Sequence, residues 1–150
     1  MTATLRLATT DDDFRSMGSL IAEYVVWQRE RYADQDWLLR EVHDEQSLDA
    51  ELQALPSRYG PPAGRALLVE VDGEVRGAGA WRRLDEHTCE MKRVFVPTRF
   101  QGQGLGRVLC QGLVDSAREA GYREIKLDTG LRMTEAAALY RAMGFRPCAP

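Results

Sequence analysis

Apolar positions along the chain follow two periods, and the order in which those periods alternate predicts the elements. Thr4 to Ala8 reads as a short strand. Thr10 follows as an N-cap, with Asp11, Asp12 and Asp13 in a first turn where the helix dipole favours acids. Phe14, Met17, Ile21, Tyr24, Val25 and Gln28 then fall at helical spacing. Leu48, Leu52 and Leu55 share one face of a second helix that ends at Pro56, and Gly60-Pro61-Pro62 makes a loop. From Ala66 the period changes. Ala66 to Val71 is a strand, Asp72-Gly73 a hairpin turn and Val75 to Trp81 the return strand. A turn near Asp85-Glu86 leads into a third strand of the meander, Cys89 to Val96, which Pro97 ends. Leu105, Val108, Leu109, Gly112, Leu113, Ser116, Ala117 and Ala120 then mark one buried stripe of a long helix, with Gly121 as its C′ residue. Glu124 to Asp128 is a strand, Ala136, Leu139, Tyr140 and Met143 mark a last helix closed by Gly144, and Phe145 to Cys148 makes a final short strand.

The resulting order is β-α-α-β-β-β-α-β-α-β. The central hairpins require antiparallel pairs, and the strand-helix-strand unit from Cys89 to Asp128 requires a parallel one. The expected fold is therefore an α/β domain with a mixed, mostly antiparallel sheet and helices on both faces. A length of 150 residues suits a single domain spanning 1–150. The net charge of -3 predicts no strong attraction to nucleic acid or to an anionic membrane. No stretch approaches the roughly 20 apolar residues that cross a bilayer. The start, MTATLRLATTDDD, has no apolar signal segment, so a cytoplasmic location is expected. Cys89, Cys110 and Cys148 are odd in number and widely spaced, which argues against a disulfide framework. No Cys/His cluster has metal-ligand spacing, and His43 and His87 read as surface histidines, so no metal is expected.

The chemistry concentrates where the third meander strand meets the long helix, at Val94-Phe95-Val96-Pro97-Thr98-Arg99-Phe100-Gln101-Gly102-Gln103-Gly104-Leu105-Gly106-Arg107. The first amides of a helix lack intrahelical acceptors and sit at the positive end of its dipole, where they suit a phosphate or pyrophosphate. Glycines allow close approach to the backbone. The stretch is not a Walker loop, because GxxxxGK[ST] is absent. Nor is it a dinucleotide fingerprint, since Arg107 or Leu109 stands where the third glycine would fall. A helix-start loop without a ligand is the plain alternative.

Taken together, RFQGQGLGRVL, the preceding strand EMKRVFV and the later segment AALYRAMGF resemble the acyl-CoA loop, fourth strand and LY-x-x-x-GF helix of the GNAT superfamily of N-acetyltransferases. Gln101, Gly104 and Gly106 fill the defining positions of Q/R-x-x-G-x-G/A. The resemblance covers about residues 66 to 148. It implies acetyl-CoA as the donor, with its pantetheine arm in a gap between the fourth and fifth strands, pairing with backbone around Val94, Phe95 and Val96. Its pyrophosphate would lie on amides from Gln101, Gly102, Gln103, Gly104, Leu105 and Gly106, with Arg107 near the phosphates. One departure is Met133, where many relatives carry an asparagine that contacts the cofactor.

Acetyl transfer to an amine needs a base for the amine and a proton for the leaving thiolate. Glu90, on the strand that the resemblance lays along the acyl group, is the candidate base, acting directly or through a water. If no bulge intervenes, alternation puts Glu90, Lys92, Val94 and Val96 on one face and Cys89, Met91, Arg93 and Phe95 on the other. A simple ion pair with Lys92 is then the alternative role for Glu90. Tyr140, in the position of the family's tyrosine near the CoA sulfur, is the candidate acid; packing in the Ala136, Leu139, Met143 stripe is its alternative.

Trp27, Tyr32, Trp37, Tyr59 and Trp81 would line the acceptor pocket, and Arg58, Arg65, Arg82 and Arg83 would charge it. That composition points to a small amine with an anionic group, such as an amino acid, unless the arginines are ordinary surface charge. A protein or peptide N-acetyltransferase and a non-catalytic acyl-CoA-binding module are the rivals. Relatives of this family usually add one more strand after the GF segment. Only Arg146-Pro147-Cys148-Ala149-Pro150 follow here, and proline cannot donate to a ladder. The strand Glu124 to Asp128 is thus expected to keep an open edge, covered either by Phe145 to Cys148 moving inward to pair with it or by a second subunit in a symmetric homodimer.

Overall fold

The computed structural model describes residues 2–31, 34, 45–128 and 134–148. Among the described residues five strands run in chain order: β1 (Ala3–Leu7), β2 (Gly64–Val71), β3 (Glu74–Arg83), β4 (Thr88–Phe95) and β5 (Glu124–Lys126). The helices described are α1 (Asp11–Arg31), α2 (Glu45–Gln53), α3 (Leu55–Tyr59), α4 (Leu105–Glu119) and α5 (Thr134–Ala142). The strands also lie side by side in chain order, antiparallel from β1 to β4, with β5 parallel to β4. This is the mixed α/β sheet the periodicity predicts.

Local chemistry explains the boundaries. Asp72 and Gly73 both hold positive φ, 53° and 78°, as a two-residue hairpin of the right twist requires. Thr10 Oγ1 accepts the Asp13 amide at 3.1 Å, and the Asp13 carboxylate accepts the amides of Thr9 and Thr10 at 2.9 and 3.1 Å. Arg6 ties that carboxylate to the sheet, pairing with Asp13 at 2.5 Å and with Glu70 at 2.6 Å. The Thr9 amide first, and then the Arg6 guanidinium, hold the Asp13 carboxyl far below the usual carboxylate range.

Two cores sandwich the sheet. On one face, Phe14, Met17 and Ile21 of α1 and Tyr59 of α3 pack with Ala66, Leu68, Ala78, Ala80 and Phe95. On the other, Leu109, Cys110 and Leu113 of α4 pack with Leu67, Val69, Trp81, Cys89 and Met91, and Leu139 and Tyr140 of α5 lean on the same cluster.

The structure corrects four expectations. Pro56 does not end the second helix: it occupies the first turn of the separate helix α3, where its missing N–H is no loss. Strand β5 stops at Lys126 rather than Asp128. Phe145 to Cys148 forms no strand. Among the described residues β5 therefore pairs only with β4. The fourth correction lies in β4. Ala80 opposes Lys92 and Ala78 opposes Phe95, so one extra residue is inserted, and Arg93 holds φ 58°. A bulge of this kind reverses the facing of every later side chain. Glu90 and Lys92 consequently share a face with Phe95, whereas Val94 and Val96 join Met91 on the α4 face.

Candidate active site

Strand β5 accompanies β4 only briefly. The parallel pairs are Thr88 with Glu124, Cys89 with Ile125 and Glu90 with Lys126, and there the pairing stops. From Met91 to Phe95, β4 runs on without β5, so the two strands part and Glu90 stands at the vertex. Its carboxylate is 16% exposed and is flanked by two cations, Arg82 Nε at 3.2 Å and Lys92 Nζ at 3.8 Å. The pairing with Lys92 anticipated from alternation is present, and Arg82 adds to it.

Beyond β4 a short 3-10 turn, Thr98–Phe100, carries the chain into the glycine loop. Side chains brace this loop at two points: Gln101 Nε2 donates to the Val96 carbonyl at 3.0 Å, and Arg76 donates to Gln103 Oε1 at 3.0 Å. Gly102 and Gly104 adopt φ 83° and 76°, conformations that L side chains resist, and nothing lies within 4 Å of where a Cβ would project. Gly104 is the N-cap of α4 and brings no side-chain cap. The first intrahelical bond runs from the Val108 amide to the Gly104 carbonyl at 3.2 Å. The amides of Leu105, Gly106 and Arg107 therefore have no acceptor in the helix. Leu105 is buried beneath the loop, Gly106 lies against Leu139 of α5, and Arg107 is exposed. An anion docked here meets backbone donors and the positive end of the dipole.

Tyr140 of α5 packs edge-on against Phe145, with ring centroids 5.7 Å apart. Burial, with smaller contributions from Cys110 and Tyr24, pushes its phenol well above the ordinary value. The hydroxyl therefore keeps its proton at neutral pH. On the opposite face, the Phe95 ring lies tilted against Tyr24 at 5.0 Å and 6.4 Å from Trp27, which stacks on Tyr24.

The residues expected to form an acceptor pocket separate into two groups. Arg82 stands beside Glu90, and Trp27 joins Tyr24 and Phe95 on the α1 face. Trp81, however, is 1% exposed and donates to Ser116 Oγ at 3.1 Å within the α4 core, and Arg65 lies over its ring on that face. Tyr59 is buried, with its hydroxyl donating to Glu51 Oε1 at 3.2 Å, and Arg58 pairs with the same carboxylate. Arg83 is exposed. Tyr32, Trp37, His43 and Met133 lie outside the described residues. Glu51, assigned no role from the sequence, and Arg93, placed there only on a strand face, form an ion pair between α2 and β4 at 2.6 Å. A signal for Glu51 existed: it falls at the i+3 position of the stripe Leu48, Leu52, Leu55, where a carboxylate breaks an apolar face. Among the described residues no group of three or more His, Cys, Asp and Glu could hold a metal ion.

Residues 19–145 match the model of the acetyltransferase (GNAT) family. The chain belongs to the GNAT family. The match runs from α1 through the splay and glycine loop to Phe145, so it takes in every part of the site just described. An uncharacterized N-acetyltransferase of Escherichia coli is 32% identical over 100 residues, 65% of this chain and 60% of the relative. The N-acetylaspartate synthetase of Homo sapiens is also 32% identical, over 102 residues, 67% of this chain and 34% of the relative. The GNAT chain thus spans less than two thirds of the length of either. The crystal structure of an inferred acyl-CoA N-acyltransferase from Klebsiella pneumoniae superposes with a TM-score of 0.71 at 30% identity, covering 99% of this chain and 86% of that one.

Proposed function

We propose that this GNAT protein transfers the acetyl group of acetyl-CoA to the primary amine of a small, amino-acid-like acceptor. The observation that carries the reading is the strand splay: Glu90 stands at its vertex, and β4 runs on from there into the loop that leads to the uncapped amides of α4. The amides of Leu105, Gly106 and Arg107 take the pyrophosphate, with Gly102 and Gly104 leaving the backbone uncovered. The backbone of Val94 to Val96 pairs with the pantetheine arm. Glu90 removes a proton from the acceptor ammonium, directly or through a water. The free amine forms the C–N bond at the thioester carbonyl, the C–S bond breaks, the Tyr140 hydroxyl gives its proton to the departing thiolate, and the second proton shed by the acylated nitrogen restores the tyrosine hydroxyl through solvent.

The two cations beside Glu90, Arg82 and Lys92, support an acceptor that carries a carboxylate. The similarity to an N-acetylaspartate synthetase supports the same class. Among the described residues β5 pairs on one side alone, and that edge supports a second copy of the chain as partner. Among the described residues no helix is long and apolar enough to cross a membrane.

The test is acetyl-CoA consumption over a panel of amino acids, simple amines without carboxylates, and peptides. Turnover is expected to be fastest with amino acids. Turnover on peptides alone would replace the acceptor class with a protein substrate. Acetyl-CoA binding without turnover on any amine would leave a non-catalytic binding module.

A further inference from the structure

The bulge in β4 is centred on Arg93, whose φ of 58° is a left-handed conformation that costs a non-glycine residue free energy. Such a conformation persists only where the surroundings over-determine it. The Arg93 side chain is 14% exposed, and its Nη2 lies 2.6 Å from Glu51 Oε2. Glu51 comes from α2, is 5% exposed and is itself held from the other side, by the Tyr59 hydroxyl at 3.2 Å and Arg58 Nε at 3.4 Å. Tyr59 is completely buried beneath α1 and the sheet. The bulge is thus tethered to a fixed point two elements away.

That tether matters because of what the bulge decides. It sends Val94 and Val96 to the α4 face and Phe95 to Tyr24 and Trp27 on the other. A regular strand would turn all three over, together with the peptide groups between them. These peptide groups lie beyond Glu90, where β5 no longer pairs with β4.

We propose that the Glu51–Arg93 ion pair is a positioning device: from the acceptor side of the sheet it holds the β4 bulge, and so sets the direction of the Val94 to Val96 amides in the acyl site. The inference rests on the reading that the splay receives acetyl-CoA. Neither side chain is a catalytic residue; both act through the backbone of β4.

The test separates the tether from the strain. Glycine adopts positive φ freely and would hold the bulge without the tether, so the pair is removed with Arg93→Met, which keeps the cost of that conformation. That variant leaves the Glu51 charge buried and alone, so Glu51→Gln/Arg93→Met is made beside it to remove the orphan charge. Arg93→Lys keeps the charge but loses the planar fork. Melting temperature and the calorimetric dissociation constant for acetyl-CoA are measured for each. The double variant is expected to bind acetyl-CoA at least tenfold more weakly than the parent chain, with Arg93→Lys in between, whatever the melting temperatures do. A double variant and an Arg93→Lys variant that both bind as the parent does would overturn the proposal, since a merely structural pair changes the melt and leaves the affinity of folded protein alone. Failure of the parent chain to bind acetyl-CoA would instead overturn the assignment of the splay as the donor site.

Discussion

The two sides of the splay are built by different means. On the α4 side, recognition is assigned to backbone: the amides of Leu105, Gly106 and Arg107 and the peptide groups of Val94 to Val96, with Gly102 and Gly104 serving by having no side chain in the way. On the α1 side the proposed site is made of side chains, Glu90 between Arg82 and Lys92, Glu51 between Arg93 and Arg58, and the ring cluster of Tyr24, Trp27 and Phe95. A backbone site demands glycine at fixed positions and therefore writes itself into the sequence as a motif. A side-chain site depends on which residues the sheet brings to one face, and a single inserted residue changes that.

Substitutions should divide along the same line. The largest effect is expected for Glu90→Gln, which removes the base and leaves the shape: turnover on the best acceptor should fall by about 10² to 10⁴, with acetyl-CoA affinity unchanged. Normal turnover would make Glu90 only the centre of an ion-pair cluster. Tyr140→Phe keeps the ring against Phe145 and loses the hydroxyl, so turnover should drop by about 10², near the low end of the range for a general acid. If turnover persists, the thiolate takes its proton elsewhere.

Gly104→Val tests the other side. A β-branched residue is strained at φ 76° and projects into the space left open for the anion. Acetyl-CoA affinity should weaken at least tenfold, about 1.4 kcal/mol, as read by calorimetry on folded protein. Smaller still is Thr10→Ala, remote from both sides. Loss of the N-cap should cost about 1 kcal/mol of stability in urea titration and leave acetyl-CoA affinity intact. Its neighbour Asp13 has its carboxyl pKa depressed in the folded chain, so its contribution is complete above the unfolded value of about 3.9 and is lost as pH falls toward the folded one. An Asp13→Asn variant should accordingly show a smaller acid-induced loss of stability than the parent below about pH 4.

Most of the fold was legible because its elements are strongly periodic and its turns carry obligatory residues. Asp72-Gly73 announces the hairpin, Thr10 the start of α1, and the strand-helix-strand unit the parallel pair. The glycine loop and the uncapped start of α4 were legible for the same reason, through Gln101, Gly104 and Gly106. Three things were not. Pro56 reads equally as the end of one helix and the first turn of another. The bulge at Arg93 leaves no mark in an alternating pattern, so the faces of Val94, Phe95 and Val96 were assigned the wrong way round. Trp81 and Tyr59, read as pocket aromatics, are core residues whose polar atoms are satisfied internally by Ser116 and Glu51, a pairing across 35 and 8 residues that spacing does not reveal.

The central claim is that acetyl-CoA lies in the β4–β5 splay with its phosphates on the start of α4. Titrating acetyl-CoA into uniformly 15N-labelled protein and following the backbone amides tests it most directly. The predicted result is saturable shifts at Val94, Phe95 and Val96 together with Leu105, Gly106 and Arg107, and little change along β1 and the β2–β3 turn. Shifts that saturate elsewhere and spare both groups of amides would contradict it.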